Sequence, residues 1–144
     1  MGKAFAVTPL LLLPVLAYNL LAMTLGGLTS PDVYKGLTDA LFETPTASGG
    51  HWPVSLADLL LAAALVILFV ELIKPTYDRQ SATINHIASI TLFVVCLVEM
   101  LALAACATST FFLITLMVLL DVLAGFILGA ATRRPEPKAR RQGG

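Results

Sequence analysis

The chain has few charged residues, and this shortage excludes most soluble folds. Of its 144 residues, 12% are Asp, Glu, Lys or Arg, whereas soluble globular domains carry about 25%. The nine basic residues balance the nine acidic ones, so the chain lacks the positive surface that general nucleic-acid binding requires. Apolar residues make up 58%, and the mean hydropathy is +0.88. These values predict an integral membrane protein with no nucleic-acid partner.

Residues that bind metals or act as nucleophiles are also scarce. The chain has two cysteines and two histidines, too few for a disulfide framework or a zinc site. It contains neither a glycine-rich phosphate loop nor the motif of a nucleophile elbow. We therefore expect no enzymatic activity, no cofactor and no bound metal.

Four apolar stretches are long enough to cross a bilayer, whose hydrocarbon core of about 30 Å requires about 20 residues of helix. The second is the weakest prediction, because Asp58 and Glu71 bracket a short charge-free core. The predicted fold class is all-α, a polytopic membrane protein with a bundle of four transmembrane helices in residues 1–132. The predicted spans cover residues 4–25, 55–74, 84–106 and 110–131.

The distribution of Lys and Arg predicts the orientation of this bundle. With four spans both termini lie on one side, and every basic residue except Lys35 shares that side. Basic residues concentrate on the cytoplasmic side of membranes, so we expect both termini in the cytoplasm and the bundle in the plasma membrane, which in a bacterium is the inner membrane. Residues 133–144 form a basic tail that is predicted to be disordered. We expect the first span to be retained, because its apolar run is longer than that of a signal peptide.

The external loop, residues 26–54, contains one helical pattern. Ser, Pro and Asp at residues 30–32 match the N-cap, first position and first turn of a helix. Apolar residues then recur at helical spacing: Val33, Tyr34, Leu37 and Leu41. We expect a short amphipathic helix that lies on the outer bilayer surface and ends at residues 44–45. It would either cover the loop ends or serve as a docking surface for a partner.

The ends of the second span carry side chains with structural roles. Trp52 precedes the span and is predicted to anchor in the headgroup layer, which suits the indole ring. Ser55 and Asp58 match the acidic form of a capping box. Glu71 and Lys74 are separated by three positions at the other end, so they are predicted to pair along the helix.

Two carboxylates lie deep in the predicted bilayer: Glu99 in the third span and Asp121 in the fourth. A charge at the bilayer centre costs roughly 2.5–3.5 kcal/mol on insertion scales, so such groups face the bundle interior, pair or are protonated. A tight turn at residues 107–109 would place Asp121 level with Cys96, one helical turn from Glu99. Asn19 in the first span lies at the height of Glu99. The sequence therefore predicts an intramembrane polar cluster of these four side chains.

Neighbouring positions support this interior. Asn85 and Ser89 continue the polar seam of the third span towards the cytoplasm. Gly125 and Gly129 share a face with Asp121 and form a small-residue motif for close helix packing. No Lys or Arg of the chain is expected to reach the depth of the two acids.

Three interpretations of the acids remain open. They fix helix register through hydrogen bonds, they relay protons or bind a cation, or they pair with a basic residue of another subunit. The predicted function is a non-enzymatic accessory or assembly subunit of a larger membrane complex. The alternative is a small proton- or cation-linked transporter or channel that uses Glu99 and Asp121. Expected partners are the lipid bilayer and either other membrane subunits or further copies of the chain.

Overall fold

A computed structural model describes residues 8–74 and 79–131, and these are mostly helical. Two strands precede the first of the three long helices, and a 3-10 turn joins the last two helices. The elements in chain order are α1 (Leu12–Leu25), α2 (Val33–Thr38), β1 (Ala40–Pro45), β2 (His51–Ser55), α3 (Leu56–Ile73), α4 (Arg79–Ala102), the 3-10 turn (Ala104–Cys106) and α5 (Ser109–Ala131).

Three of the helices, α3, α4 and α5, are long and apolar enough to cross a membrane. Their outward surfaces are apolar, and Phe69, Leu101 and Phe126 are 63%, 84% and 68% exposed. Polar side chains such as Thr115 and Asp121 are buried between the helices instead. This inverted distribution is what a lipid environment requires. Three of the four predicted spans therefore correspond to helices of sufficient length.

The first predicted span corresponds to α1, which has 14 residues and is shorter than the other three helices. The beginning of the prediction, residues 4–7, lies outside the described residues. Nevertheless α1 contacts the bundle at both ends. The Leu10 amide donates to Glu71 Oε2 at 2.9 Å, where α3 ends, and the Tyr18 hydroxyl donates to the Ala105 carbonyl at 2.6 Å, in the 3-10 turn. We call these two ends of the bundle the Glu71 end and the hairpin end, the second after the helical hairpin that α4 and α5 form.

One seam of α1 faces the other helices, and the opposite side is apolar and exposed. The buried seam comprises Val15, Tyr18 and Ala22 and continues to Leu11, which directly precedes the helix. The exposed side comprises Leu13, Leu16, Leu20 and Met23. The buried positions recur every three or four residues, as expected for a helix that packs along one stripe. The Tyr18 ring also packs against Phe111 of α5, with ring centroids 4.8 Å apart.

The helix predicted in the external loop is present but shorter than expected. In α2 the side chains of Val33 and Leu37 are buried, and the Ser30 hydroxyl accepts a hydrogen bond from the Asp32 amide at 3.2 Å. The helix ends at Thr38, and Leu41 lies in β1. The prediction that this helix continues to residues 44–45 is therefore wrong.

An antiparallel hairpin of β1 and β2 occupies the second half of the loop, so the all-α prediction needs correction. Its register places Phe42 opposite Val54 and Thr44 opposite Trp52. Aromatic and β-branched residues favour such a pleated arrangement. Gly49 has a φ of 84° in the connecting turn, a left-handed conformation that glycine adopts without steric cost.

The connection between α4 and α5 is longer than predicted. The chain leaves α4 after Ala102, and Leu103 is extended, with φ −114° and ψ 123°. The Ala105 amide donates to the Leu28 carbonyl at 3.2 Å, which fixes the 3-10 turn to the loop that follows α1. The tight turn predicted at residues 107–109 and the third span predicted to continue to residue 106 are therefore wrong. This change moves the midpoint of the helical hairpin towards residue 105.

Candidate functional site

The predicted intramembrane cluster is divided into two polar groups at different heights of the bundle. The hairpin-end group comprises Asn19, Cys96, Glu99 and Cys106. The Glu71-end group comprises Glu71, Lys74, Asn85, Ser89 and Asp121. In the hairpin-end group, Asn19 Nδ2 donates to both carboxylate oxygens of Glu99 at 3.2 and 3.1 Å. This contact joins α1 to α4. It agrees with the prediction that Asn19 and Glu99 lie at the same height in the bundle.

Both cysteines of the chain lie in or beside the hairpin-end group and are free and fully buried. Cys106 Sγ donates to Asn19 Oδ1 at 3.6 Å, so the amide of Asn19 is held on both sides. Burial, together with the nearby Glu99 carboxylate, raises the pKa of the Cys106 thiol to about 11, so the thiol keeps its proton. Cys96 lies on α4 against Thr115 of α5. These contacts give the cysteines packing roles.

The Glu71-end group is built around a buried ion pair. Lys74 Nζ lies 3.2 Å from Glu71 Oε1, and the two side chains are only 3% and 1% exposed. The predicted pairing is therefore confirmed. The Glu71 carboxylate also accepts from the Leu10 amide at 2.9 Å and from Asn85 Nδ2 at 3.0 Å, and Lys74 Nζ donates to the Thr8 carbonyl at 2.8 Å. Buried ion pairs need such additional hydrogen bonds to offset the cost of desolvation.

Asp121 belongs to this second group. Its Oδ2 accepts a hydrogen bond of 2.6 Å from the Ser89 hydroxyl. Ser89 lies one turn of α4 after Asn85, which donates to Glu71. The prediction that Asp121 lies level with Cys96 is wrong. Because Ser89 lies seven positions before Cys96, Asp121 is displaced by about 10 Å along α4 at a rise of about 1.5 Å per residue.

The side chain of Lys74 is more deeply buried than its position at the end of α3 suggests. It turns into the bundle, where it pairs with Glu71 and its Nζ lies 3.5 Å from Asn85 Oδ1. Sequence reasoning missed this because lysines near the end of a span usually extend towards water. The only available signal was the spacing of Glu71 and Lys74, which predicted their pairing but not their depth.

The two glycines of the small-residue motif have different surroundings. A Cβ atom added to Gly125 would lie 2.6 Å from His86 Nδ1, whereas one added to Gly129 would meet no atom of residues 8–74 or 79–131 within 4 Å. His86 Nδ1 is buried and has no hydrogen-bond partner within the described ranges. A groove of about 320 Å³ lies beside it, lined by His86, Gly125, Phe126, Gly129 and Ala130.

Trp52 lies in β2 and is exposed, away from both polar groups. Within residues 8–74 and 79–131, no three His, Cys, Asp or Glu side chains are grouped so that they could hold a metal ion. No protein-family model, curated protein or solved structure matches the chain.

Proposed function

We propose that the chain is a non-enzymatic accessory or assembly subunit of a larger membrane complex. In this proposal α1 joins the three long helices as a fourth span, with both termini in the cytoplasm. The contacts of α1 with both ends of the bundle support its role as a span. The hairpin end then faces outward, because Lys35 is the only basic residue there and positive charge concentrates on the inner side.

Of the three interpretations of the acids, their surroundings favour the one in which they fix the register of the helices. Each carboxylate accepts a hydrogen bond from a helix other than its own: Glu99 from α1, Asp121 from α4, and Glu71 from α4 through Asn85. Such bonds stabilise one alignment of helices in an apolar environment, where packing alone is less specific. A partner subunit would then bind at the outer surface of the bundle.

The main support for a partner subunit is the groove between α4 and α5. Two of the residues that line it, Gly129 and Ala130, are small and exposed, and they permit the backbone of another helix to approach closely. Phe126 stands at its side and is 68% exposed, so an incoming helix would meet both a recess and an aromatic side chain. We infer that a transmembrane helix of a partner subunit packs in this groove.

Affinity isolation of the tagged chain, expressed at native level in its own membranes, tests the proposal. Mass spectrometry should identify a stoichiometric membrane partner with the unchanged chain. Ala130→Leu should remove that partner, because its larger side chain fills the groove. Ala63→Leu makes the same change at an exposed position on α3 and should retain the partner. Isolation of the chain alone, or equal loss with both variants, would contradict the proposal.

A small proton- or cation-linked transporter or channel is the second candidate. The observation in its favour is the gathering of Glu71, Lys74 and Asp121 at one end of the bundle, since buried ionisable groups often mark ion pathways. Proton flux in proteoliposomes tests it with Asp121→Asn and Glu99→Gln. Flux that is lost in either variant while the fold is retained would favour this candidate over the accessory subunit.

A further inference from the structure

The β1–β2 hairpin has two chemically different faces. Because side chains alternate along a strand, the register places Phe42, Thr44, Trp52 and Val54 on one face, which we call the aromatic face. The other face carries Glu43, Pro45, His51 and Pro53. Glu43 Oε2 lies 3.9 Å from His51 Nδ1 across this second face. The hairpin is therefore amphipathic.

The aromatic face is not covered by the described part of the chain. Phe42 and Trp52 are 52% and 60% exposed, and Val54 is buried only where the hairpin joins the bundle. Every residue of β1 is exposed. An isolated two-stranded hairpin is marginally stable in water, so an occupant that covers the aromatic face would stabilise it.

The attachment of the hairpin to α3 sets its depth. Ser55 ends β2 and is at the same time the N-cap of α3, with Asp58 completing the capping box. Trp52 lies three positions before Ser55, which is at most about 10 Å at the rise of an extended strand. The polar layer on each side of a hydrocarbon core is about 5–8 Å thick. A hairpin inclined towards the bilayer therefore places Trp52 in that layer.

We propose that the aromatic face of the hairpin inserts into the headgroup layer of the leaflet in which α3 begins. Phe42 reaches towards the acyl chains, the Trp52 indole lies among the headgroups, and Glu43 and His51 face water. Two observations favour lipid as the occupant. The hairpin continues directly into α3, a helix long and apolar enough to cross a membrane, and amphipathic aromatic rings concentrate at this depth.

The charge of the hairpin makes the lipid prediction more specific. Residues 40–55 contain no Lys or Arg, so anionic headgroups provide no electrostatic attraction. Insertion should therefore occur in vesicles of pure phosphatidylcholine and should not increase when phosphatidylglycerol is added. This inference rests on the membrane placement in the proposed function but requires no partner subunit.

Trp52 is the only tryptophan of the chain, so the fluorescence of the unaltered protein reports directly on this face. The full chain is reconstituted in phosphatidylcholine vesicles that contain a quencher either on the headgroup or at the end of the acyl chain. We expect emission at a shorter wavelength than that of the unfolded chain, protection from iodide, and stronger quenching by the headgroup label. Full access to iodide without lipid quenching would overturn the inference.

Other occupants give distinguishable results. Protection from iodide that increases with protein density, without quenching by either lipid, would indicate a second copy and would overturn the inference. Equal quenching by the two lipid labels would place the indole deeper than the headgroup layer and would also overturn the inference. If the chain does not float with the vesicles, the proposed membrane placement itself fails. Flotation without lipid quenching contradicts only the insertion of the hairpin.

Variants of the two faces provide a matched control. Phe42→Ser should reduce quenching of Trp52 by the headgroup label, because the aromatic face loses apolar area. Glu43→Gln changes the neighbouring residue on the opposite face and should leave quenching unchanged. Equal quenching in Phe42→Ser and the unaltered chain would contradict a role of the aromatic face. The measurement on the unaltered chain remains decisive if Phe42→Ser disrupts the hairpin.

Discussion

The two polar groups of the bundle show how similar acids are accommodated in different ways. Glu99 at the hairpin end is partly buried and accepts two hydrogen bonds from the neutral amide of Asn19. Glu71 at the other end is almost fully buried and is held by a lysine, an amide and a backbone N–H group. The more completely a carboxylate is removed from solvent, the more partners it requires. The comparison predicts a large cost where a partner of Glu71 is removed and a small one at Glu99.

Lys74→Met should have the largest effect on stability. It leaves the Glu71 carboxylate buried without its cation, and removal of one partner of a buried ion pair costs about 3–5 kcal/mol. The free energy of unfolding, measured by denaturant titration in mild detergent, should fall accordingly. The double variant Glu71→Gln with Lys74→Met should recover much of this loss, because the amide is neutral and still accepts a hydrogen bond. A double variant as unstable as Lys74→Met would contradict this explanation.

The packing of α4 on α5 at the Glu71 end provides a second comparison, between Gly125 and Gly129. Gly125→Ala should destabilise the bundle by about 1–3 kcal/mol, because the new Cβ would lie 2.6 Å from His86 Nδ1 and the ring must move. Gly129→Ala makes the same change where a Cβ meets no atom of the described residues within 4 Å, so it should be neutral or slightly stabilising. The difference in thermal unfolding between these variants measures the clash alone. Equal melting temperatures would show that His86 relaxes at no cost.

Local sequence patterns predicted the parts of this structure that depend on neighbouring residues. Ser55 and Asp58 form the expected capping box, and Glu71 pairs with Lys74, because both contacts lie within one turn of a helix. The three long helices follow from apolar length, which bilayer thickness dictates. These features required no knowledge of how the helices pack.

The end of α4 was not predictable in this way. Residues 103–107 contain neither glycine nor proline, so nothing local ends the helix. The chain leaves the helix where tertiary contacts hold Ala105, through the Leu28 carbonyl and the Tyr18 hydroxyl. This end sets the register of α4 on α5, and it therefore separates Asp121 from Glu99.

The hairpin shows the same limitation. The glycines at residues 49–50 and the prolines at positions 45 and 53 are typical of turns, but they do not show that residues on either side pair. Pairing of β1 with β2 is a non-local contact, and strand preference depends strongly on such contacts. The periodic apolar residues 33–41 favoured a continuous helix, whereas the chain changes to a strand after Thr38.

Glu99→Gln should have the smallest effect and tests the interpretation of the hairpin-end group. Glutamine keeps one carbonyl oxygen for Asn19 Nδ2, so the variant loses at most one of the two hydrogen bonds and all of the charge. Interhelical hydrogen bonds in membranes contribute about 0.6 kcal/mol on average, and the free energy of unfolding should change by about that amount. Glu99→Leu removes both acceptors and should cost more, because Asn19 then lacks its partner. If Glu99→Gln were as damaging as Lys74→Met, ionisation of Glu99 would be essential, and the comparison between the two ends of the bundle would fail.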